Sequence, residues 1–280
     1  MRHNNKLFWS VPLFVGLFFS ACGKRPIAKV DGIPIYSEDI KDEKGIQHAY
    51  GANYTDEEAL LLLFQQKLRE YVLLKKLSIK IREKDIEKEK ERIDRETKAP
   101  EILNRVKAYF NKDKKRYLKA FVYPVLVSRL LEHTFYFDTT IQKKGYMLSR
   151  EKFKALKEHP NMDIKNDSFY ISLDLEKMEK ENKGIPFVLP FYQMDSAVLR
   201  SLPQKGLYPE IIEDRAGYYI LRKLDKKSKK FDGFFIRKRS FNKWFHDNIK
   251  DVKIEIFDKE MKNRVLSRAK GSYIEKLIIK

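Results

Sequence analysis

The sequence predicts an α+β fold: a helical unit closed by a C-terminal helix and strand, with a small α/β unit between them. Three observations predict it. Leu61, Phe64, Leu68 and Val72 recur every three or four positions, which puts them on one buried helical stripe. At Asn161 the character changes to short apolar runs separated by Gly184, Pro186, Pro190, Pro203, Gly206 and Pro209. Val252-Lys253-Ile254-Glu255-Ile256 alternates strictly, the mark of a half-buried strand.

In chain order, Ile27 to Tyr36 alternates around Asp31-Gly32 and reads as a small hairpin or bent strand. Ser37 is the expected N-cap of the helix that begins Glu38-Asp39-Ile40. After a loop around Gly51 to Thr55, a helix is expected from Asp56 to Ser78, then a very charged one from Lys84 to Lys98. Pro100 marks a break before a helix over Glu101 to Phe110, and Asn111 is the expected cap of a longer helix through Tyr117, Phe121 and Leu130. Pro124 removes a backbone donor inside that helix, so a kink is expected there. A helix over Ile141 to Glu158 stops at His159-Pro160. Beyond it, strands are expected at Phe169 to Leu173 and Gly217 to Leu224, with a short helix at Asp195 to Leu202. A basic helix from Asp232 to Lys250 leads into the alternating strand, and the tail after Lys259 returns to helix.

The N-terminus has the layout of an export signal. Arg2 and Lys6 precede an apolar run from Leu7 to Phe19, and the small residues Ser20 and Ala21 precede Cys22. The run is about a dozen residues, whereas a helix spanning the bilayer core needs roughly 20, so cleavage is the better reading. Cys22 is the only cysteine in the chain, which excludes intramolecular disulfides and clustered cysteine metal sites. The competing readings are a buried cysteine or an uncleaved anchor helix. Phe19-Ser20-Ala21-Cys22 resembles the bacterial lipobox, which implies lipidation of Cys22; Phe19 stands where leucine is usual. Two acyl chains hold a protein on a membrane far more firmly than one.

The 280-residue chain carries a formal charge of +19, and losing Arg2 and Lys6 with the leader would leave it strongly basic. Such a field attracts anionic lipid, acidic polypeptide or nucleic acid. Export argues against nucleic acid, and the basic residues are interleaved with acidic ones, as on a solvated helix face.

Three separated pieces resemble the periplasmic foldases of the SurA and PrsA type, which join a helical chaperone domain to parvulin prolyl-isomerase domains. Val30-Asp31-Gly32-Ile33-Pro34-Ile35 with Ser37-Glu38-Asp39-Ile40 looks like the opening strand, turn and helix start. Gln66 to Leu74 with Ile79 to Ile86 is similar to the family's long helix, linker and next helix. Asn242-Lys243-Trp244-Phe245 through Ile256 resembles the closing helix and strand. A fourth stretch, Ala197 to Gly206 with Ala216 to Leu221, resembles the second half of a parvulin domain.

The resemblance implies a signal peptide at 1–21, a lipidated linker at 22–26 and a helical chaperone domain at 27–160. A degenerate parvulin-like domain at 161–230 follows, and a segment at 231–280 returns to the first domain. It is degenerate because the family's modules carry a histidine where Tyr219 stands, and the family's glycine-rich middle segment is missing. Prolyl isomerisation must lower a barrier of about 18–20 kcal/mol. Tyr219 cannot replace an imidazole that changes proton state near neutral pH. No catalytic residue is therefore assigned. Phe187, Phe191, Met194 and Leu202 are candidate walls of a residual proline pocket, with ordinary core as the competing reading.

No HExxH, P-loop or G-x-S-x-G pattern is present, and the histidines at 3, 48, 133, 159 and 246 show no paired spacing, so neither a metal nor a cofactor is expected. The expected partners are unfolded or nascent exported proteins and, through Cys22, a membrane of the bacterial envelope facing periplasm or cell surface. An active divergent isomerase and a structural or host-facing surface lipoprotein are the competing functions.

Overall fold

The computed structural model describes residues 25–174, 206–223 and 230–278, which form a mixed α+β structure with two small sheets. Strands β1 (Ala28–Val30) and β2 (Ile33–Ile35) make an antiparallel hairpin. Its turn residues, Asp31 and Gly32, both have positive φ, as a two-residue turn matching the strand twist requires.

Helix α1 (Ser37–Ala49) follows directly. Ser37 is its first helical residue and not the cap; Asp39 closes the start instead, its carboxylate accepting from the Tyr36 amide at 2.8 Å. Helix α2 (Asp56–Tyr71) opens on a reciprocal box in which the Thr55 amide donates to Glu58 and the Glu58 amide donates to Thr55. It buries Ala59, Leu60, Leu63, Phe64 and Leu68, then widens into a π-helical turn at Val72–Lys76.

The charged helix is α3 (Glu83–Glu96), and α4 (Pro100–Tyr109) starts on Pro100 as expected. Asn111 caps nothing: Asn111 and Lys112 both take positive φ in a turn, and Asp113 caps the short α5 (Lys114–Tyr117). Pro124 lies inside a continuous helical stretch, in which a π-helical turn at Leu118–Val122 runs directly into α6 (Tyr123–Phe137); the widened turn immediately precedes the residue that lacks a backbone donor.

Helix α7 (Lys143–Glu158) packs on the second sheet, in a cluster with Leu156, Tyr218, Ile220, Phe234 and Ile236. The sequence alone places this helix in the helical unit at 27–160, whereas its apolar face packs on the second sheet. That sheet contains β3 (Tyr170–Asp174), β4 (Gly206–Leu207), β5 (Ile212–Glu213), β6 (Gly217–Lys223) and β7 (Lys230–Arg237), in the antiparallel order β3-β7-β6-β4, with β5 also pairing β6. The helix expected over Asp232 to Lys250 is thus split, and the boundary expected at residue 230 falls at the start of a strand. Phe231, Asp232, Gly233, Phe234 and Ile236 are buried there because β7 is flanked by β3 and β6. Gly233 is required by contact: a Cβ would lie 1.8 Å from the Ile220 carbonyl oxygen.

Helix α8 (Phe241–Ile249), capped by Ser240, leads to β8 (Ile254–Ile256), which pairs antiparallel with β1. Helices α9 (Lys259–Ala269) and α10 (Tyr273–Leu277) then cover the first core. Arg264 and Arg268 of α9 bond Glu57 and Glu58 of α2 at 2.6 and 2.7 Å. The core therefore mixes both ends of the described chain, with Ala28 and Val30 beside Leu60, Phe64, Phe135, Trp244, Ile254 and Leu277.

Strand β8 gives a direct test. Ile254 is fully buried in that core, so Ile254→Ala should lower the unfolding free energy by about 3 kcal/mol in a denaturant melt. Lys253→Ala, on the exposed face of the same segment, should change it by less than about 0.5 kcal/mol.

Candidate functional site

Two places in the described structure bear on function. The first surrounds Tyr219, at the centre of β6. Successive β6 residues face opposite sides of the sheet: Tyr218 and Ile220 join the cluster under α7, whereas Tyr219 and Leu221 join Leu173 and Phe231 on the other face. Tyr219 is fully buried and stacks on Phe235 at 4.7 Å between ring centroids. Its hydroxyl donates to Asp214 Oδ2 at 3.2 Å, while Asp214 Oδ1 accepts from the amides of Ala216 and Gly217 at 2.7 and 2.9 Å. Burial, together with the Asp214 charge, raises the Tyr219 hydroxyl far above its ordinary range. It is a fixed hydrogen-bond donor at any physiological pH.

Lys238, just after β7, is buried beneath the same turn. Its ammonium pairs with Glu213 at 2.7 Å, donates to the Asp214 carbonyl at 2.6 Å, and lies 4.5 and 5.0 Å from the ring centroids of Phe137 and Tyr218. Burial pulls its pKa below the ordinary lysine value, and Glu213 only partly offsets this. This constellation joins β5, the β5–β6 turn, β7 and α6. Its charged groups and the Tyr219 hydroxyl are spent on one another, while the buried Tyr218 hydroxyl has no hydrogen-bond partner among the described residues; this is the chemistry of a joint.

The second place is a groove of about 260 Å³ on the helical unit. Its apolar lining includes Tyr50, Ile93, Ile102, Leu103, Phe121 and Val125, from the end of α1, α3, α4, the π-helical turn and α6. Tyr50 is 52% exposed, and Arg92 and Glu96, paired at 2.9 Å, border the groove. The walls are fixed by ion pairs behind the lining. Glu89 of α3 has a wholly buried side chain bound by Arg92 at 2.6 Å and Arg129 of α6 at 2.7 Å. Burial works against its charge, but the two arginines overcome this and hold the carboxyl below its usual range. Asp94 of α3 bonds Lys107 of α4 at 2.8 Å.

Of the residues singled out from sequence, Tyr219 is buried and locked to Asp214. Cys22, Phe187, Phe191, Met194 and Leu202 lie outside the described residues. His48, His133, His159 and His246 are exposed. Among the described residues no group of three His, Cys, Asp or Glu side chains could hold a metal ion. Among the same residues no helix is long and apolar enough to cross a membrane. The groove and Lys238 escaped the sequence reading. One signal for the groove was available: Ile86 and Ile93, seven apart in an otherwise charged helix, give α3 a narrow apolar stripe. Comparison with protein-family models, curated proteins and solved structures returns no match.

Removing the Tyr219 hydroxyl should cost about 1 kcal/mol of stability in Tyr219→Phe, measured by urea unfolding, because Asp214 keeps its two backbone donors. Lys238 sets an alkaline signature. With its pKa lower folded than unfolded, the unfolded chain binds more protons as pH rises towards the unfolded value of 10.5, so this group's contribution to stability rises over that interval. Unfolding curves of wild type and Lys238→Met should therefore move apart in favour of wild type as pH approaches 10.5.

Proposed function

We propose that this protein is a lipid-anchored chaperone of the bacterial envelope, SurA-like in layout, that binds non-native exported polypeptides without catalysing prolyl isomerisation. The observation that carries the reading is the groove. Exposed Tyr50 and the half-buried Ile93, Ile102, Phe121 and Val125, held between three helices, offer an unfolded segment a place to bury its own apolar side chains, at roughly 25 cal/mol per Å² of apolar surface removed from water. The sheet made by β1, β2 and β8 supports the layout, because it returns the C-terminal segment to the first strand as the resemblance implies. The absence of catalysis rests on Tyr219, whose position offers a buried donor where the family has a titrating imidazole. In this reading lipid on Cys22 holds the groove near the membrane where exported chains emerge, which raises its effective concentration there.

The test uses residues 23–280 and an unfolded β-rich envelope protein diluted from denaturant. Wild type should suppress light scattering from aggregation, and Ile102→Asp with Phe121→Asp should weaken suppression by about tenfold in half-effective concentration, since each charge makes apolar burial unfavourable. Isomerisation of a proline peptide above background would sink the non-catalytic part. Silence in both assays would favour a structural or host-facing lipoprotein.

A further inference from the structure

A second concavity lies where β7 meets α8. We propose that this cleft binds an extended polypeptide segment carrying carboxylates at alternate positions.

The cleft encloses about 420 Å³ and is lined by Tyr136, Arg215, Arg237, Lys238, Arg239 and Phe241, among others. Its charges divide into spent and spare. Lys238 is neutralised by Glu213 at 2.7 Å, and Arg215 faces Glu132 at 3.5 Å while its guanidinium lies 5.7 Å from the Tyr136 ring centroid. Arg237 and Arg239 are exposed, and among the described residues neither guanidinium has an ion pair or hydrogen bond.

Backbone geometry sets their spacing. The Lys238 amide donates to the Ala216 carbonyl at 3.0 Å, continuing the β6–β7 pairing one residue past Arg237. Lys238 turns inward, so its two neighbours turn outward, as alternate residues of an extended chain do. The Arg239 amide is itself fixed, donating to Gln142 Oε1 at 3.0 Å, and Gln142 Nε2 donates to the Phe135 carbonyl at 2.9 Å. Two guanidinium roots two residues apart on extended backbone are roughly 7 Å apart, and so are carboxylates at alternate residues of an extended ligand. Each guanidinium can accept one carboxylate in two-pronged fashion. Tyr136 and Phe241, stacked at 6.3 Å, give the ligand's backbone an apolar floor.

An anionic lipid surface fits less well, because a bilayer meets protruding cations over a broad area and this site offers two spare ones lining a concavity. The proposal rests on the client-binding reading only for the source of the acidic segment; the binding itself stands apart from chaperone activity.

The experiment measures fluorescence anisotropy of labelled peptides on the full-length chain in nonionic detergent at low salt. One peptide carries glutamates separated by single glycines, and another has the same composition with its glutamates adjacent. The spaced peptide should bind several-fold more tightly, and Arg237→Gln with Arg239→Gln should weaken it about tenfold. Replacing both by lysine should restore part of the loss, since charge returns without the fork. A charge-matched control, Lys157→Gln with Lys259→Gln, should change it less than about twofold at exposed sites away from the cleft. Equal losses in the two double glutamine variants would show that only the overall positive field acts and would overturn the proposal. So would equal affinity for the two peptides. Mixed micelles carrying phosphatidylglycerol form the last arm: capture that depends on Arg237 and Arg239, with no dependence for peptide, would assign the cleft to lipid headgroups and overturn it. Unchanged aggregation suppression in the Arg237→Gln, Arg239→Gln variant would separate this cleft from the apolar groove and leave the proposal standing on the peptide data.

Discussion

Strand β1 lies between β2, its neighbour in sequence, and β8, more than two hundred residues away. The rest of the structure depends on that second pairing. Without β8, β1 would expose one edge, and the core formed by Val30, Phe64, Leu131 and Trp244 would lose Ile254 together with Val265, Ile274 and Leu277. Closing so long a loop costs entropy, but the cost grows only logarithmically with length. The second sheet can therefore be inserted between strands that pair with one another without forbidding the closure.

Ion pairs join elements where apolar contact alone would not fix their positions. Glu89 ties α3 to α6, and Asp94 ties α3 to α4, so the groove between these helices stays defined without being filled. Asp42 of α1 pairs with Arg116 of α5; burial raises its carboxyl above the usual range despite that partner, so this contact fixes geometry more than it adds stability. Gly45 works with it, since any Cβ there would overlap the Tyr109 ring that α4 lays against α1. At the junction of the two units Lys238 and Gln142 do the same work with buried hydrogen bonds. Among the described residues the consequence is a pair of differently tuned concavities. The groove on the helical unit is mainly apolar, and the cleft at the junction is cationic.

Where a segment's pattern matched one geometry only, the sequence reading placed the element. The alternation at Val252 to Ile256 and the stripe on α2 are such cases, while around Asp31-Gly32, readable as a small hairpin or a bent strand, the structure has the hairpin. It failed where two geometries shared a pattern. The run from Lys230 to Arg237 contains apolar residues compatible with either helix or strand, and only pairing with β3 and β6 selects the strand. Ser37 and Asn111 are good caps by residue type, but Tyr36 and Asp113 hold those positions because the chain enters each helix from a different residue, and Asp39 inside α1 accepts from the Tyr36 amide. Pro124 was correctly read as a disruption, and the helix widens into a π-helical turn immediately before it.

By itself the sequence determined the mixed α+β class, most helices and strands, the strongly basic balance and the export-like N-terminal pattern, because these follow from local periodicity and composition. Tertiary structure alone decided that α7 belongs to the second sheet, that Tyr219 is sealed against Asp214, and that among the described residues Arg237 and Arg239 stay free while Lys238 between them is spent. Those outcomes depend on which distant segments meet. Neither burial nor the pairing of a charge is a property of a residue until its neighbours in space are fixed.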